Sequence, residues 1–261
     1  MQPSLPVSLQ PLLKRYLKTV EGQVPGLLHG FYLEGSIALG GFNERFSDVD
    51  FIALLARKAT LEEIRVLRQL HRTIEQTYSS KLSGSYYVLG VGFAWTEPLF
   101  AQLHYHDGVL RMDHRLFEPD SVEGWILKHH GLTFKGPVAQ SLPFRVNWDV
   151  LIGRMKENMN LYWLKWTRHP YYLLVLLTDW GIQWTVLGVL RQFYSFREQS
   201  ITTKAEAGAY GLTHLPLRWH SLIGEAMAIR EKRKFRAYPI NVKRAVEAVR
   251  FLKFIIRASN N

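Results

Sequence analysis

Apolar positions in the first third of the chain follow a helical spacing in some segments and form short continuous runs in others. Residues 7–22 have apolar side chains at intervals of three and four and end at a glycine, which predicts a helix. Short strands are predicted at 26–35, at the nearly continuous apolar run 49–56, and at 83–93. The alternation of helix and strand predicts a mixed α/β layer.

The helix between the second and third predicted strands has a recognisable start. Thr60 and Glu63 have the spacing of a capping box, in which each side chain bonds the other residue's backbone N–H. The apolar residues that follow recur at helical spacing and form one stripe, which predicts packing against the sheet.

From about residue 145 the pattern indicates helices with few strand signals. The loop at 135–147 carries two prolines and marks the change. We therefore predict an α+β protein: an N-terminal domain at 1–140, with a mixed sheet flanked by helices, and a C-terminal α-helical bundle domain at 141–261.

One stretch, residues 171–190, is long and mostly apolar. It has Asp179 and Gln183 in its middle, and a carboxylate at the centre of a bilayer costs a few kcal/mol. A buried helix of a soluble bundle is the better interpretation.

Composition narrows the picture further. The chain has 261 residues, 47% of them apolar, which is enough for two ordinary cores. Its 33 Lys and Arg exceed its 22 Asp and Glu by 11, which favours anionic partners. The absence of cysteine excludes disulfides and thiolate metal sites, and the first residues lack the pattern of a signal peptide, so we expect a cytoplasmic protein.

The segment GSIALGGFNERFSDVDF at 35–51 carries the candidate chemistry. In a strand, Asp48 and Asp50 would project from one face about 7 Å apart. Such carboxylates suit Mg²⁺ bound to a triphosphate, and the turn at Gly35 and Ser36 could open a helix whose free N–H groups accept phosphate. A structural alternative makes Asp48 a loop cap and pairs Asp50 with Arg45, but the combined pattern favours the metal site.

These residues resemble the signature of nucleotidyltransferases of the DNA polymerase β-like superfamily. Within it, the chain is most similar to bacterial aminoglycoside nucleotidyltransferases that adenylylate streptomycin and spectinomycin. The segment LEGSIALGGFNERFSDVDFIALL is the specific part, and weaker echoes occur at 115–137 and 202–216. The resemblance implies transfer of a nucleoside monophosphate, with ATP as donor and Mg²⁺ as cofactor, to a hydroxyl of a small molecule.

The resemblance also implies roles for individual residues. Asp48 and Asp50 would bind Mg²⁺ and carry the catalysis. The nucleotide would contact the Gly35 turn, Ser36, Ser47, Arg191, Lys204 and, as a looser match, the aromatic ring of Tyr238. For Arg191 and Lys204, a solvated basic face is the equally weighted alternative.

The chain departs from the family at the general base. Family members commonly place a third carboxylate on the strand that corresponds to KLSGSYYVLG, and here the matching positions are Ser83 and Gly84. Loss of a general base costs about 10²–10⁴-fold in rate. Glu97, Asp107 and Asp113 are the candidates for a substitute, and Asp107 is favoured as a hairpin residue instead.

Other side chains are less informative. His104 and His106 alternate on a predicted strand and His129 and His130 are adjacent, but no set has zinc-like spacing, so surface or hydrogen-bonded histidines are favoured. Trp180 and Trp184 share a helical face and are interpreted first as core, and second as a pocket wall for a cationic acceptor beside Asp179.

Two other classes of function stay open at the sequence level. A nucleotide-binding or regulatory protein could have kept the metal site and lost its base. Transfer to a protein or RNA partner would use the positive charge, although the basic run at 230–239 lacks an aromatic platform and does not favour nucleic acid. No membrane contact is expected, and the sequence leaves the oligomeric state open.

Overall fold

The structure, a computed structural model, describes residues 5–78, 81–95 and 98–260. The chain forms two compact units that divide between Val146 and Asn147. The first contains a mixed sheet with helices and the second is helical, so the predicted α+β class is confirmed.

The N-terminal unit is built on a six-stranded sheet in the order β5-β4-β3-β2-β1-β6. Strands β2 and β3 are parallel, and the other neighbours are antiparallel. The strands are β1 (Leu28–Leu33), β2 (Val49–Leu55), β3 (Leu82–Val88), β4 (Ala101–His106), β5 (Val109–Met112) and β6 (Leu132–Lys135). The helices are α1 (Gln10–Gln23), α2 (Gly35–Ala38), α3 (Leu61–Thr77) and α4 (Val122–His130).

The two faces of this sheet differ. Because side chains alternate along a strand, Phe51 and Tyr86 lie on one face, where they pack against α1 and α3 around Tyr16. Ile52 and Tyr87 lie on the other face, in a cluster with residues of α4 and the segment after it. The first face is apolar along its length, whereas the second becomes polar near the start of β2 and β3.

Helix α3 begins as the sequence predicts. The Thr60 hydroxyl accepts from the Glu63 N–H at 3.3 Å, and the Glu63 carboxylate accepts from the Thr60 N–H at 2.8 Å. Arg57 also pairs with Glu63, and this hydrogen bond is the main cause that lowers the pKa of Glu63 to about 2. The capping box is therefore confirmed, and a salt bridge reinforces it.

The C-terminal unit is organised around one long helix, α7 (Asp179–Glu198), which packs against the three helices that follow it. These are α8 (Lys204–His214), α9 (His220–Arg230) and α10 (Asn241–Asn260). The unit starts with α5 (Trp148–Asn158), a π-helical turn at Met159–Trp163 and the short helix α6 (Pro170–Val175).

The prediction of one buried helix over 171–190 is wrong. The stretch is divided between α6 and α7, because Thr178 caps a new helix by accepting from the Gly181 N–H at 3.0 Å. Helix α6 buries no residue fully, and Tyr171 and Leu174 are mostly exposed. Within the described ranges, no helix has the length and apolarity needed to cross a bilayer.

Candidate active site

The carboxylate of Asp50 lies directly against the turn between β1 and α2. Gly35 opens α2 with φ +62°, a conformation that side chains rarely adopt, and a Cβ on it would lie 2.1 Å from Oδ2 of Asp50. The Glu34 N–H donates to the Asp50 carbonyl at 3.0 Å and fixes the turn beside β2. The structure therefore brings together two of the residues predicted from the sequence.

The other predicted residues of this segment have different surroundings. Ser36 is half-buried in α2, and Asp48 is exposed immediately before β2. Ser47 is buried, and its hydroxyl accepts from the Asn43 N–H at 3.1 Å, which closes the preceding loop. Because α2 is a single turn, the backbone N–H groups at its start, rather than a long helix dipole, would contact a phosphate.

Glu34 is a member of this site that the sequence reasoning missed. It is only 7% exposed, and its Oε2 has no hydrogen-bond partner in the described part of the chain. Burial, followed by the negative charges of Glu123 and Asp50, raises the pKa of Glu34 well above its usual value. The only feature of the sequence that could have indicated a role for Glu34 was its position immediately before Gly35 and Ser36.

The carboxylates of this segment suit Mg²⁺, which water and substrate phosphates help to hold, better than a metal ion bound by protein side chains alone. Among the described residues, no three His, Asp or Glu side chains form a cluster that could hold an ion. Mg²⁺ commonly uses one or two carboxylates and completes its shell with water and substrate phosphates. Asp48 and Asp50 would be that pair, and the absence of a side chain at position 35 makes room for the Asp50 carboxylate against the turn.

The register of β3 distinguishes Ser83 from Gly84, the two positions at which the resemblance predicts a carboxylate. Ser83 pairs with Asp50 across the parallel strands and therefore shares its face. Gly84 points to the opposite face, where a Cβ would lie 2.0 Å from the Phe51 carbonyl oxygen. Position 83 alone can project a functional group beside Asp50.

Strand β4 continues this polar face. The Ser83 hydroxyl lies 3.1 Å from Nδ1 of His106, and the Ser85 hydroxyl lies 2.9 Å from Nδ1 of His104. The two segments, S-G-S and H-Y-H, have the alternation that places both pairs on one face. The alternation was visible in the sequence, but the pairing of the two strands was not.

The three substitute bases proposed from the sequence are placed differently. Asp107 occupies the two-residue turn between β4 and β5 with φ +47°, as a hairpin residue, and lies 3.3 Å from Nε2 of His106. Asp113 is bonded to the Arg115 guanidinium at 2.6 Å, and hydrogen bonds from Arg115 lower its pKa against the opposing effect of burial. Glu97 lies outside the described residues.

In the C-terminal unit, the two predicted basic residues lie where α8 meets α7. Arg191 on α7 donates from Nε to the Thr202 carbonyl at 2.9 Å. Lys204 is the first residue of α8, and its Nζ lies 4.7 Å from the centre of the Trp184 ring. Trp180 stacks on Trp184 at 5.5 Å but is 56% exposed, so the interpretation of Trp180 as core is wrong.

Tyr238 lies next to a buried ion pair. Its N–H donates to Oε2 of Glu225 at 2.9 Å, and Oε1 of Glu225 pairs with Arg244 at 2.8 Å. Arg244 also bonds Asp179 at 2.6 Å. These bonds join α7, α9 and α10 and hold the segment that carries Tyr238. Burial is the main cause that raises the pKa of the Tyr238 hydroxyl.

Comparison with known proteins agrees with this architecture. The fold is similar to the crystal structure of spectinomycin adenyltransferase AAD(9) from Enterococcus faecialis with ATP and spectinomycin, with a TM-score of 0.68 and 14% identity over 93% of this chain and 98% of that chain. A search of curated proteins found no match. Residues 177–254 match the family model described as the C-terminal domain of aminoglycoside adenylyltransferase. The resemblance inferred from the sequence is thus confirmed: residues 177–254 are similar to the C-terminal domain of aminoglycoside adenylyltransferase, and the fold is similar to that of a spectinomycin adenyltransferase.

Proposed function

We propose that the protein transfers AMP from ATP to a hydroxyl group of a small molecule, in a reaction that depends on Mg²⁺. The observation that carries this proposal is the contact between the Asp50 carboxylate and the Gly35 turn. It places a carboxylate that can bind a cation within a few ångströms of the backbone N–H groups of a turn, and the polyphosphate of a nucleotide uses both kinds of group.

The residues have separate roles in this proposal. Asp48 and Asp50 would hold the metal, which when bound offsets the charge of the triphosphate and polarises it. The N–H groups of the turn at 35–36 would bind phosphate oxygens, with the Ser36 and Ser47 hydroxyls as further donors. Arg191 and Lys204 would add positive charge to the triphosphate, and Tyr238 would contact the nucleotide.

An aminoglycoside-like antibiotic, of the class that includes spectinomycin, is the proposed acceptor. Such molecules are polycations, so they need local negative charge on a chain whose net charge is +11. Glu225 is paired with Arg244. Glu206 accepts hydrogen bonds from the hydroxyls of Thr202 and Thr203 and from the Thr203 N–H at the start of α8. Asp179 also pairs with Arg244, but its side chain is 62% exposed, beside the exposed ring of Trp180, so we assign to Asp179 the contact with a cationic acceptor.

The proposal is tested with purified protein, ATP labelled at the α-phosphate, Mg²⁺ and a panel of aminoglycosides. We expect a labelled product and release of pyrophosphate, both abolished by chelation of the metal. Asp50→Asn should lower the rate by at least about 10³-fold, because the metal loses a charged ligand. Asp149→Asn, an exposed aspartate at the start of α5, is the matched control and should retain the wild-type rate.

Two outcomes would count against the proposal. Equal turnover by wild type and Asp50→Asn would remove the metal site from the mechanism. Tight binding of ATP and Mg²⁺ in calorimetry, with no labelled product from any acceptor, would favour a nucleotide-binding regulatory protein.

A further inference from the structure

Three neighbouring strands each place one polar side chain on the open part of the sheet. Ser83 on β3 is in register with Asp50 on β2. On its other side, the pairing of Gly84 with Tyr105 sets Ser83 opposite His106 on β4. Across β2, β3 and β4, the side chains therefore lie in the order carboxylate, hydroxyl, imidazole.

The bonds of His106 fix which of its nitrogens can take up a proton. The carboxylate of Asp107 lies 3.3 Å from Nε2, which favours a proton on that nitrogen. Nδ1 then carries the lone pair and accepts the hydrogen bond from the Ser83 hydroxyl, 3.1 Å away. A base whose second nitrogen is oriented by a carboxylate has the arrangement that general-base catalysis requires.

His106 is also the accessible base on this face. Its side chain is 55% exposed, so a substrate hydroxyl can reach its neighbourhood. His104 instead bonds Ser85, which is buried, and burial followed by the charge of Arg115 lowers the pKa of His104. Asp113 is occupied by Arg115.

We propose that His106 is the general base of the transfer reaction and that the Ser83 hydroxyl relays the proton to it; this rests on the proposed function. The acceptor hydroxyl gives its proton to Ser83 Oγ while Ser83 passes its own proton to Nδ1 of His106. The acceptor oxygen forms a bond to the α-phosphorus, the bond from that phosphorus to the bridging oxygen breaks, and pyrophosphate leaves. The ring nitrogen thus takes the role of the carboxylate that the resemblance predicts on this strand, where the matching positions are Ser83 and Gly84.

The charges around His106 suit this role. Asp107 adjoins it on the turn, and Asp50 lies beyond β3 on the same face. His104 is the other titratable group on this face of β4, with its ring centre 6.1 Å from that of His106. In the strand register, Arg111 of β5 is opposite His104, and Val109 is opposite His106.

The decisive variant is His106→Gln, which keeps a polar side chain and removes the base. We expect kcat to fall about 10²–10⁴-fold, with KM for ATP unchanged. The pH profile of kcat should differ between the wild type and the variant, because only the wild type carries the base. Added imidazole should restore part of the rate. His114→Gln, an exposed histidine after β5, is the matched control and should behave as wild type.

The relay is tested at position 83. Ser83→Ala removes the hydroxyl and should lower kcat to a similar extent, whereas Ser83→Thr keeps the hydroxyl on a strand-favouring residue and should retain most of the activity. Independently of activity, ¹⁵N NMR of the protein without substrate should show His106 as the tautomer with the proton on Nε2.

The outcomes separate this proposal from the function on which it rests. Loss of activity in Asp50→Asn, together with a wild-type kcat and pH profile in His106→Gln, would overturn the proposal and leave the function standing. A proton on Nδ1 in the NMR experiment would also overturn it. A wild-type protein that modifies no acceptor would refute the proposed function, and the base assignment with it.

Discussion

Each unit of the molecule contains a buried glutamate, and the two differ in what surrounds them. Glu225 in the C-terminal unit accepts from Arg244 at 2.8 Å and from the N–H groups of Ala237 and Tyr238 at 2.7 and 2.9 Å. Glu34 in the N-terminal unit is buried with one oxygen unpartnered among the described residues, near the carboxylates of Asp50 and Glu123.

The difference separates two uses of buried charge. A buried carboxylate with an arginine and two N–H donors joins elements together, and removing one partner leaves a costly charge. A buried carboxylate among other carboxylates destabilises the unit that contains it, which is typical of a site whose charge is complemented by a ligand. Glu225 is thus structural, whereas Glu34 belongs to the candidate site.

The largest expected effect comes from breaking the structural pair. Arg244→Met should lower the free energy of unfolding by about 3–5 kcal/mol, because Glu225, which is fully buried, loses its countercharge. Chemical denaturation followed by circular dichroism measures the loss, which should fall in the transition of the C-terminal unit.

The double variant Arg244→Met, Glu225→Gln is the matched control. The side-chain amide introduced at position 225 would keep an oxygen for the two N–H donors and remove the unpaired charge, so most of the lost stability should return. An Arg244→Met protein as stable as wild type would contradict the structural role of the pair.

A buried histidine, His71, adds a neutral group to the comparison of the two buried glutamates. His71 is buried between α3 and the sheet, bonds the Tyr86 hydroxyl at 2.6 Å and stacks on Tyr105, and burial lowers its pKa to about 3. The unfolded chain binds a proton on this residue below pH 6.5, whereas the folded chain does not until about pH 3. Its contribution to stability is therefore complete above pH 6.5 and is lost as the pH falls from 6.5 towards 3.

The loss should be about 1.4 kcal/mol per pH unit in that window. His71→Phe preserves the stacked ring and removes the titration, so its unfolding free energy should depend less on pH between 6.5 and 4 than that of wild type. Parallel pH dependences for the two proteins would contradict a neutral buried His71.

The smallest expected effect concerns Glu34. Its contribution to stability changes with pH in the opposite direction to that of His71. Because the pKa of Glu34 is raised in the folded state, its protonated form is favoured there; stability is full below the unfolded pKa and declines as the pH rises through the folded value. Glu34→Gln should therefore raise the free energy of unfolding by about 1–3 kcal/mol at pH 8 without divalent cations, and change it little at pH 4. Thermal unfolding at the two pH values, with a chelator present, measures the effect; a loss of stability at pH 8 would contradict it.

Features set by neighbouring residues in the sequence were predictable. Strand β2 was predicted at 49–56 and runs from Val49 to Leu55, and the capping box at Thr60 and Glu63 formed as expected. The turn at Gly35 and the carboxylate at Asp50 follow from local spacing and the family resemblance, and the structure adds their direct contact.

Features that depend on distant pairing were not predictable. The division of 171–190 depends on the Thr178 cap, and the exposure of Trp180 depends on how α7 packs in its unit. The bond between Ser83 and His106 joins residues 23 positions apart, so it follows only from the order of the strands. The burial of Glu34 likewise requires knowledge of what packs over the end of β1.

The contact between residues 35 and 50 has a consequence for how this protein can vary. Fifteen positions separate them along the chain, yet the smallest side chain at 35 would collide with the carboxylate at 50. Position 35 cannot take a side chain without displacing the carboxylate at position 50. Natural variants that keep the acidic residue at position 50 should therefore keep the glycine at position 35.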